Sequence, residues 1–163
     1  MKANDYSCEV QENLNFGVSN ITAASVGLPN TSGDPEETLP QAICCDTKFK
    51  GFPEPNGFFS TQNLFSSIDS KGVTSFYDSA CGLELFRAPV DRSYKEFVKD
   101  TNEHGWPAFR GNEILKENLV LEEGDGFTVV YSKCGTKLGT LEIDEVGERY
   151  CMDLVCISGN PVV

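Results

Sequence analysis

Apolar and polar positions divide this 163-residue chain into three regimes. Residues 1–40 are polar, with one Lys against six acids and only Tyr6 and Phe16 as aromatics. Such a stretch cannot bury enough apolar surface to order itself, so an irregular N-terminal arm is predicted over residues 1–40. Residues 41–76 open with the apolar run Ala42-Ile43-Cys44-Cys45 and continue through Phe49, Phe52, Phe58, Phe59, Phe65 and Phe76. Pro53, Pro55, Asn56 and Gly57 punctuate them, which predicts loops, short strands and one short helix near Thr61–Ile68. Residues 77–163 carry the pattern of an antiparallel β body. Leu119–Leu121 and Phe127–Tyr131 flank the acidic turn Glu122-Glu123-Gly124-Asp125-Gly126 as a hairpin. Leu138–Ile143 and Tyr150–Ser158 read as two more strands. One helix interrupts them over Ser93–Thr101: Tyr94, Phe97 and Val98 share a face, and Ser93 with Glu96 forms a capping-box pattern. No internal repeat is evident. The expected fold is mainly β, with few short helices, the arm at 1–40 and the body at 41–163.

Composition narrows the function. The net charge is −12 and the hydrophobic fraction 39%; the isoelectric point is near 4.4 and the mean hydropathy −0.27. Thirteen Lys and Arg against 25 acids disfavour nucleic acid and anionic lipid surfaces, both of which need clustered cations. No apolar run approaches the roughly 18 residues that span a bilayer, so no membrane insertion is expected. Met1–Ser7 has no apolar signal core, which fits a soluble intracellular or organelle-lumen chain, or one whose targeting segment has been removed. The triplets at Asn20 and Asn30 match glycosylation sequons and are taken as accidental. Seven cysteines is an odd number, so at least one thiol is free or pairs with another chain.

Three runs carry candidate chemistry: Gly105-Trp106-Pro107-Ala108-Phe109, Cys134-Gly135-Thr136-Lys137-Leu138-Gly139 and Gly147-Glu148-Arg149-Tyr150-Cys151. In that order they resemble the methionine sulfoxide reductase B family, over Tyr77 to Gly159. The resemblance implies a β-tent of two antiparallel sheets. It implies reduction of methionine-R-sulfoxide, with Cys151 as the nucleophile, Trp106 as the wall for the substrate methyl group, and a thioredoxin-like reductant. Arg149, two residues before Cys151, points to the same face of a strand, where a cation lowers a thiol pKa. Asp144 matches an acidic position of the family, and Phe109, Lys137 and Asp153 fall beside the substrate. The residues alone also allow Cys151 and Trp106 to be ordinary core side chains.

Several positions depart from the family pattern. Lys137-Leu138-Gly139-Thr140 stands where the family has His-Leu-Gly-His, so both near-neutral acid–base groups are missing. Asp153 replaces an asparagine, and a fixed negative charge there would disfavour a thiolate. His104, the only histidine, stands near the place of a resolving cysteine and is a candidate acid–base group beside Trp106, or a surface residue. The family's zinc site needs two Cys-x-x-Cys pairs; here Asp78 and Tyr131 take the first positions, leaving Cys81 and Cys134. Two cysteines do not make a structural zinc site, which points to no metal and a Cys81–Cys134 disulfide, or free thiols in a reducing compartment. Cys156 is a poor resolver for Cys151, because five residues along one strand separate them and set them on opposite faces. Cys8, Cys44 and Cys45 remain as resolvers, with the adjacent pair Cys44-Cys45 expected to bond to different partners. Two functions follow: a reductase, or a catalytically degenerate subunit that binds a protein partner through residues 1–40.

Overall fold

Short β-prone runs between glycine and proline turns pair into two antiparallel sheets, making the chain mainly β. The computed structural model describes Cys8, Thr22, Ser25 and residues 36–45, 54–62, 64–124 and 126–159. Most of the 1–40 arm, with Asn20 and Asn30, lies outside the described residues, as do Phe49, Phe52 and Asp125.

The first helix among the described residues is α1, Leu39–Cys44, whose start Thr38 caps by accepting a hydrogen bond from the Gln41 amide. Pro40 suits this first turn, where an amide would have no partner. The residue 40/41 boundary therefore falls inside a helix. Instead of one helix near Thr61–Ile68, two single turns form: α2 at Phe58–Thr61 and a 3-10 turn at Leu64–Ser66. Gly57 in a left-handed conformation starts the first one early. Then β1 (Thr74–Asp78) and β2 (Glu84–Ala88) form a hairpin. Helix α3 runs Tyr94–His104 with the expected capping box at Ser93 and Glu96. It ends three residues later than its apolar pattern, at Gly105, whose φ of 90° closes the C-terminus. Five strands follow: β3 (Ala108–Arg110), β4 (Leu119–Glu123), β5 (Thr128–Ser132), β6 (Lys137–Ile143) and β7 (Glu148–Met152), with β8 (Ile157–Ser158) last. One sheet has the order β2-β1-β8 and the other β3-β7-β6-β5-β4.

The segment Tyr150–Ser158 is not one strand, as its apolar pattern predicts. The Asp153 amide donates to the Leu138 carbonyl at 2.8 Å. A 3-10 turn at Leu154–Cys156 then carries the chain into the other sheet as β8. Residues from Arg149 through Ser158 are all buried, so no change of periodicity marks the point where the chain leaves its sheet.

Aromatic rings fill the space between α3 and the sheets. Phe86 and Phe109 stack at 4.4 Å, and Phe76 and Phe97 pack against Phe109 edge-on or tilted. Burying such rings supplies a few kcal/mol each. Three disulfides tie the outer segments to this core: Cys8–Cys45, Cys44–Cys156 and Cys81–Cys134. The adjacent Cys44 and Cys45 thus bond to different partners, and Cys44–Cys156 fixes α1 to the turn before β8. Among the described residues, no helix is long and apolar enough to cross a membrane.

Candidate active site

Strand β7 lies inside its sheet, between β3 and β6, with Cys151 opposite Ala108 on one side and Thr140 on the other. Gly139 lets β6 come this close. A Cβ there would collide with the backbone carbonyl of Cys151 and the Cα of Met152. Arg149 and Cys151 share a face, as their spacing predicts, and Arg149 Nε donates to the Cys151 sulfur at 3.2 Å. Cys151 is the one cysteine without a disulfide.

The guanidinium is held from three sides. Arg149 Nη1 donates to Asp144 at 3.1 Å and Nη2 to Glu142 at 3.1 Å. Glu142 is the direct cross-strand neighbour of Arg149. Arg110, opposite Arg149 on the other side, would repel it. Asp144 resolves the conflict by accepting from Arg110 Nη1 and Nη2 at 2.9 and 3.0 Å while it binds Arg149. Asp100 clamps Arg110 from behind at 2.9 and 3.1 Å. Arg110 in turn holds the Asp144 carboxyl far below the usual carboxylate range.

The thiol itself departs from expectation. Burial pushes the Cys151 thiol up, while the Arg149 hydrogen bond and charge pull it down, and the net direction is up. A cation on the same face is therefore not enough to make a thiolate here, because only 7% of Cys151 is exposed.

A pocket of about 300 Å³ opens over the sulfur. Trp106, Phe127 and Val129 make an apolar wall, and Lys137, Thr140, Glu142 and Asp153 bring polar groups to the same space. The Trp106 ring is fixed by its Nε1, which donates to the Glu54 carbonyl at 2.9 Å. The segment carrying Glu54 is anchored to the end of α3. The Gly57 amide donates to the Gly105 carbonyl at 2.8 Å, and Asn56 Nδ2 to the His104 carbonyl at 3.2 Å. A side chain at Gly105 would strike Asn56.

Asp153 is not a fixed negative charge. Burial lifts its carboxyl to about 7, against the pull of Lys137 and of the Glu54 amide, which donates to Asp153 Oδ1 at 3.2 Å. The Glu54 side chain lies beside it, fully buried, with Oε1 accepting from the Val155 amide at 3.0 Å. Burial first, and then the Asp153 charge, raises Glu54 well above the ordinary range.

Of the residues singled out in the sequence, the fold brings Cys151, Trp106, Lys137 and Asp153 to one pocket. Asp144 acts from outside it, through Arg149. Phe109 is not a substrate contact but a core ring, fully buried against Phe86. His104 does not line the pocket; its Nε2 lies 3.2 Å from Asp100, four residues back on α3. Sequence reasoning missed Glu54, Phe127, Val129, Thr140, Glu142 and Arg110. For Glu142 and Arg110 the strand register around Arg149 held the signal; Glu54 has none, since 97 residues separate it from Cys151.

Cys81 and Cys134 are joined in a disulfide, as expected for this pair, with Asp78 alongside. Asp78 Oδ1 already accepts from the Ala80 and Cys81 amides and from the Thr136 hydroxyl, at 2.7, 3.1 and 3.1 Å. Two sulfurs bonded to each other are not thiolate ligands, and even reduced, the cluster is one donor short of four. These residues do not fit a structural zinc. No protein-family model matches the sequence, and no curated protein matches it.

Proposed function

We propose that this chain reduces methionine-R-sulfoxide, with Cys151 as the nucleophile. One observation carries the proposal. The only cysteine left out of the three disulfides lies in a pocket with one apolar wall, and a clamped guanidinium touches its sulfur. A methyl sulfoxide needs those features together: an apolar surface for the methyl group and donors for the oxygen. Trp106 supplies the first, and Lys137 and Thr140, which line the same pocket, carry donor groups for the second.

The chemistry balances without a metal or cofactor. The Cys151 sulfur forms a bond to the sulfoxide sulfur as the oxygen takes up a proton. The hydroxyl then passes to the cysteine and methionine leaves as a thioether. The substrate sulfur gains two electrons, the cysteine sulfur loses two, and Cys151 becomes a sulfenic acid. The other six cysteines are in disulfides, so no internal thiol stands ready to resolve it. An external dithiol, such as a thioredoxin-like protein, condenses with the sulfenic acid, releases water, and then frees Cys151 by exchange. Three disulfides suit an oxidising compartment.

The test is turnover of peptidyl methionine-R-sulfoxide with dithiothreitol, against the S epimer and against Cys151→Ser. Turnover of the R epimer that is lost in Cys151→Ser supports the proposal. Equal background in both proteins, each with a cooperative melt, refutes it. A second reading, a degenerate relative that binds a partner without turnover, is favoured by the upward direction of the Cys151 thiol. It predicts retained sulfoxide binding and no methionine.

A further inference from the structure

A thiol that is mostly protonated at neutral pH needs a base before it attacks, and the sulfoxide oxygen needs an acid as it is displaced. The two imidazoles that would do such work are absent from Lys137-Leu138-Gly139-Thr140. The pocket nevertheless contains three more titratable groups beside Cys151, namely Lys137, Glu142 and Asp153. Asp153 follows Cys151 by two residues and lines the same pocket, while only 2% of it is exposed. Among the described residues of the pocket, it is the only carboxyl withdrawn from solvent and backed by a second buried carboxyl, that of Glu54. Glu54 Oε2 is buried without a hydrogen-bond partner. A negative charge on that oxygen would be strongly disfavoured, which keeps Glu54 protonated while Asp153 exchanges its proton.

We propose that Asp153 is a catalytic proton relay: its carboxylate takes the proton from the Cys151 thiol and returns it to the sulfoxide oxygen. This rests on the reductase reading. The relay consumes no proton overall. The thiol S–H bond breaks, an O–H bond forms on Asp153, and that proton moves to the oxygen that ends as the sulfenic hydroxyl. Asp153 is thereby restored as the carboxylate. Burial places the Asp153 carboxyl near 7, between a relaxed carboxylate and the thiol. Near pH 7 about half of it is ionised, and it is basic enough to accept a proton. The charges around the relay are assigned from each neighbouring element. Lys137 on β6 holds Asp153 down, and burial pushes Glu54, on the loop before α2, well above the ordinary carboxylate range. Arg149 on β7 favours the thiolate, while Glu142 on β6 and Asp100 on α3 oppose it.

The relay fixes the shape of a pH profile. The rate is proportional to the population with one proton shared between Cys151 and Asp153. It therefore rises with pH until Asp153 ionises, near 7, and is flat above that until the thiol itself ionises. The experiment is a single turnover of the native protein without added reductant, with methionine-R-sulfoxide in excess, from pH 5 to 9.5. It is run on the wild type, Asp153→Asn and Lys137→Met. The wild type should level off near pH 7. Asp153→Asn should be on the order of 100-fold slower at pH 7 and should keep climbing about tenfold per pH unit up to the thiol value. Lys137→Met, which removes the charge that holds Asp153 down, should move the inflection to higher pH. An Asp153→Asn rate equal to wild type, or an inflection that Lys137→Met leaves in place, overturns the relay. If Asp153→Asn lacks a cooperative melt, Lys137→Met decides alone. A wild type that releases no methionine sinks the reductase reading as well, whereas release by the wild type and equally by Asp153→Asn sinks the relay only.

Discussion

Arg149 Nε donates to the Cys151 sulfur at 3.2 Å, and the same guanidinium is locked by Asp144 and Glu142 on its other nitrogens. The contact depends on the planar fork of arginine, which serves three acceptors at once. Lysine has one nitrogen and a tetrahedral set of donors. Arg149→Lys should therefore leave the thiol further above its ordinary value. Alkylation of Cys151 by iodoacetamide at pH 8 should slow several-fold, with little change in the limiting rate at high pH. Asp144→Asn should have the same effect in weaker form, because it leaves Arg149 facing the like-charged Arg110 without the carboxylate that holds both. An unchanged alkylation profile in both variants would show that the guanidinium does not tune the sulfur.

The cysteine pairing makes a count. Denatured without reductant, the protein should titrate one thiol, and after full reduction seven. Alkylation before reduction should label Cys151 alone. Closing Cys44 to Cys156 spans 112 residues, worth about 5 kcal/mol in the chain-entropy model. Cys44→Ala with Cys156→Ala should accordingly lower the melting temperature well beyond the effect of Cys151→Ser. A second free thiol in the unreduced protein would contradict the pairing.

Stability should fall as the pH rises from about 4.5 to 7.5. Both Asp153 and Glu54 bind protons more tightly folded than unfolded, so in that window the folded state holds protons that the unfolded chain releases. Lifting Asp153 from 3.8 to about 7 corresponds to a change on the order of 4 kcal/mol across the window. Asp144 and Glu84 act in the opposite sense, but only below about pH 4, since their folded values are depressed. Urea midpoints measured from pH 4.5 to 8 should show the slope, and Asp153→Asn should flatten it. A wild-type midpoint that rises across this range would refute the buried-carboxyl assignment.

Gly139 permits the contact between β6 and β7. Gly139→Ala forces its Cβ against the Cys151 carbonyl and Met152 Cα, both backbone atoms that cannot swing aside. A loss of roughly 1–3 kcal/mol is expected, as for other overpacked sites. Because the displaced strand carries Cys151 itself, thiol reactivity should change along with the melting temperature. A neutral substitution would mean that the strands are further apart than described.

What the sequence determined by itself is local. The capping box at Ser93 and Glu96, the strands ending in turns, and the placing of Arg149 and Cys151 on one face all follow from short-range spacing. The reduction of a four-ligand pattern to Cys81 and Cys134 likewise pointed to the pair that bonds. What the tertiary structure decided is whatever depends on burial or on distant segments meeting. The end of β7 at Met152 was invisible because a segment buried on both faces has no period to break. Phe109 belongs to the core because of the ring it meets, Phe86, and His104 stays out of the pocket because Asp100 on its own helix holds it. Glu54 reaches Asp153 only because the end of α3 anchors its loop. The sign of the thiol shift and the titration of Asp153 belong to the same class. Spacing tells which charges are near, but desolvation depends on how much water the surrounding chain removes, and no stretch of sequence states that locally.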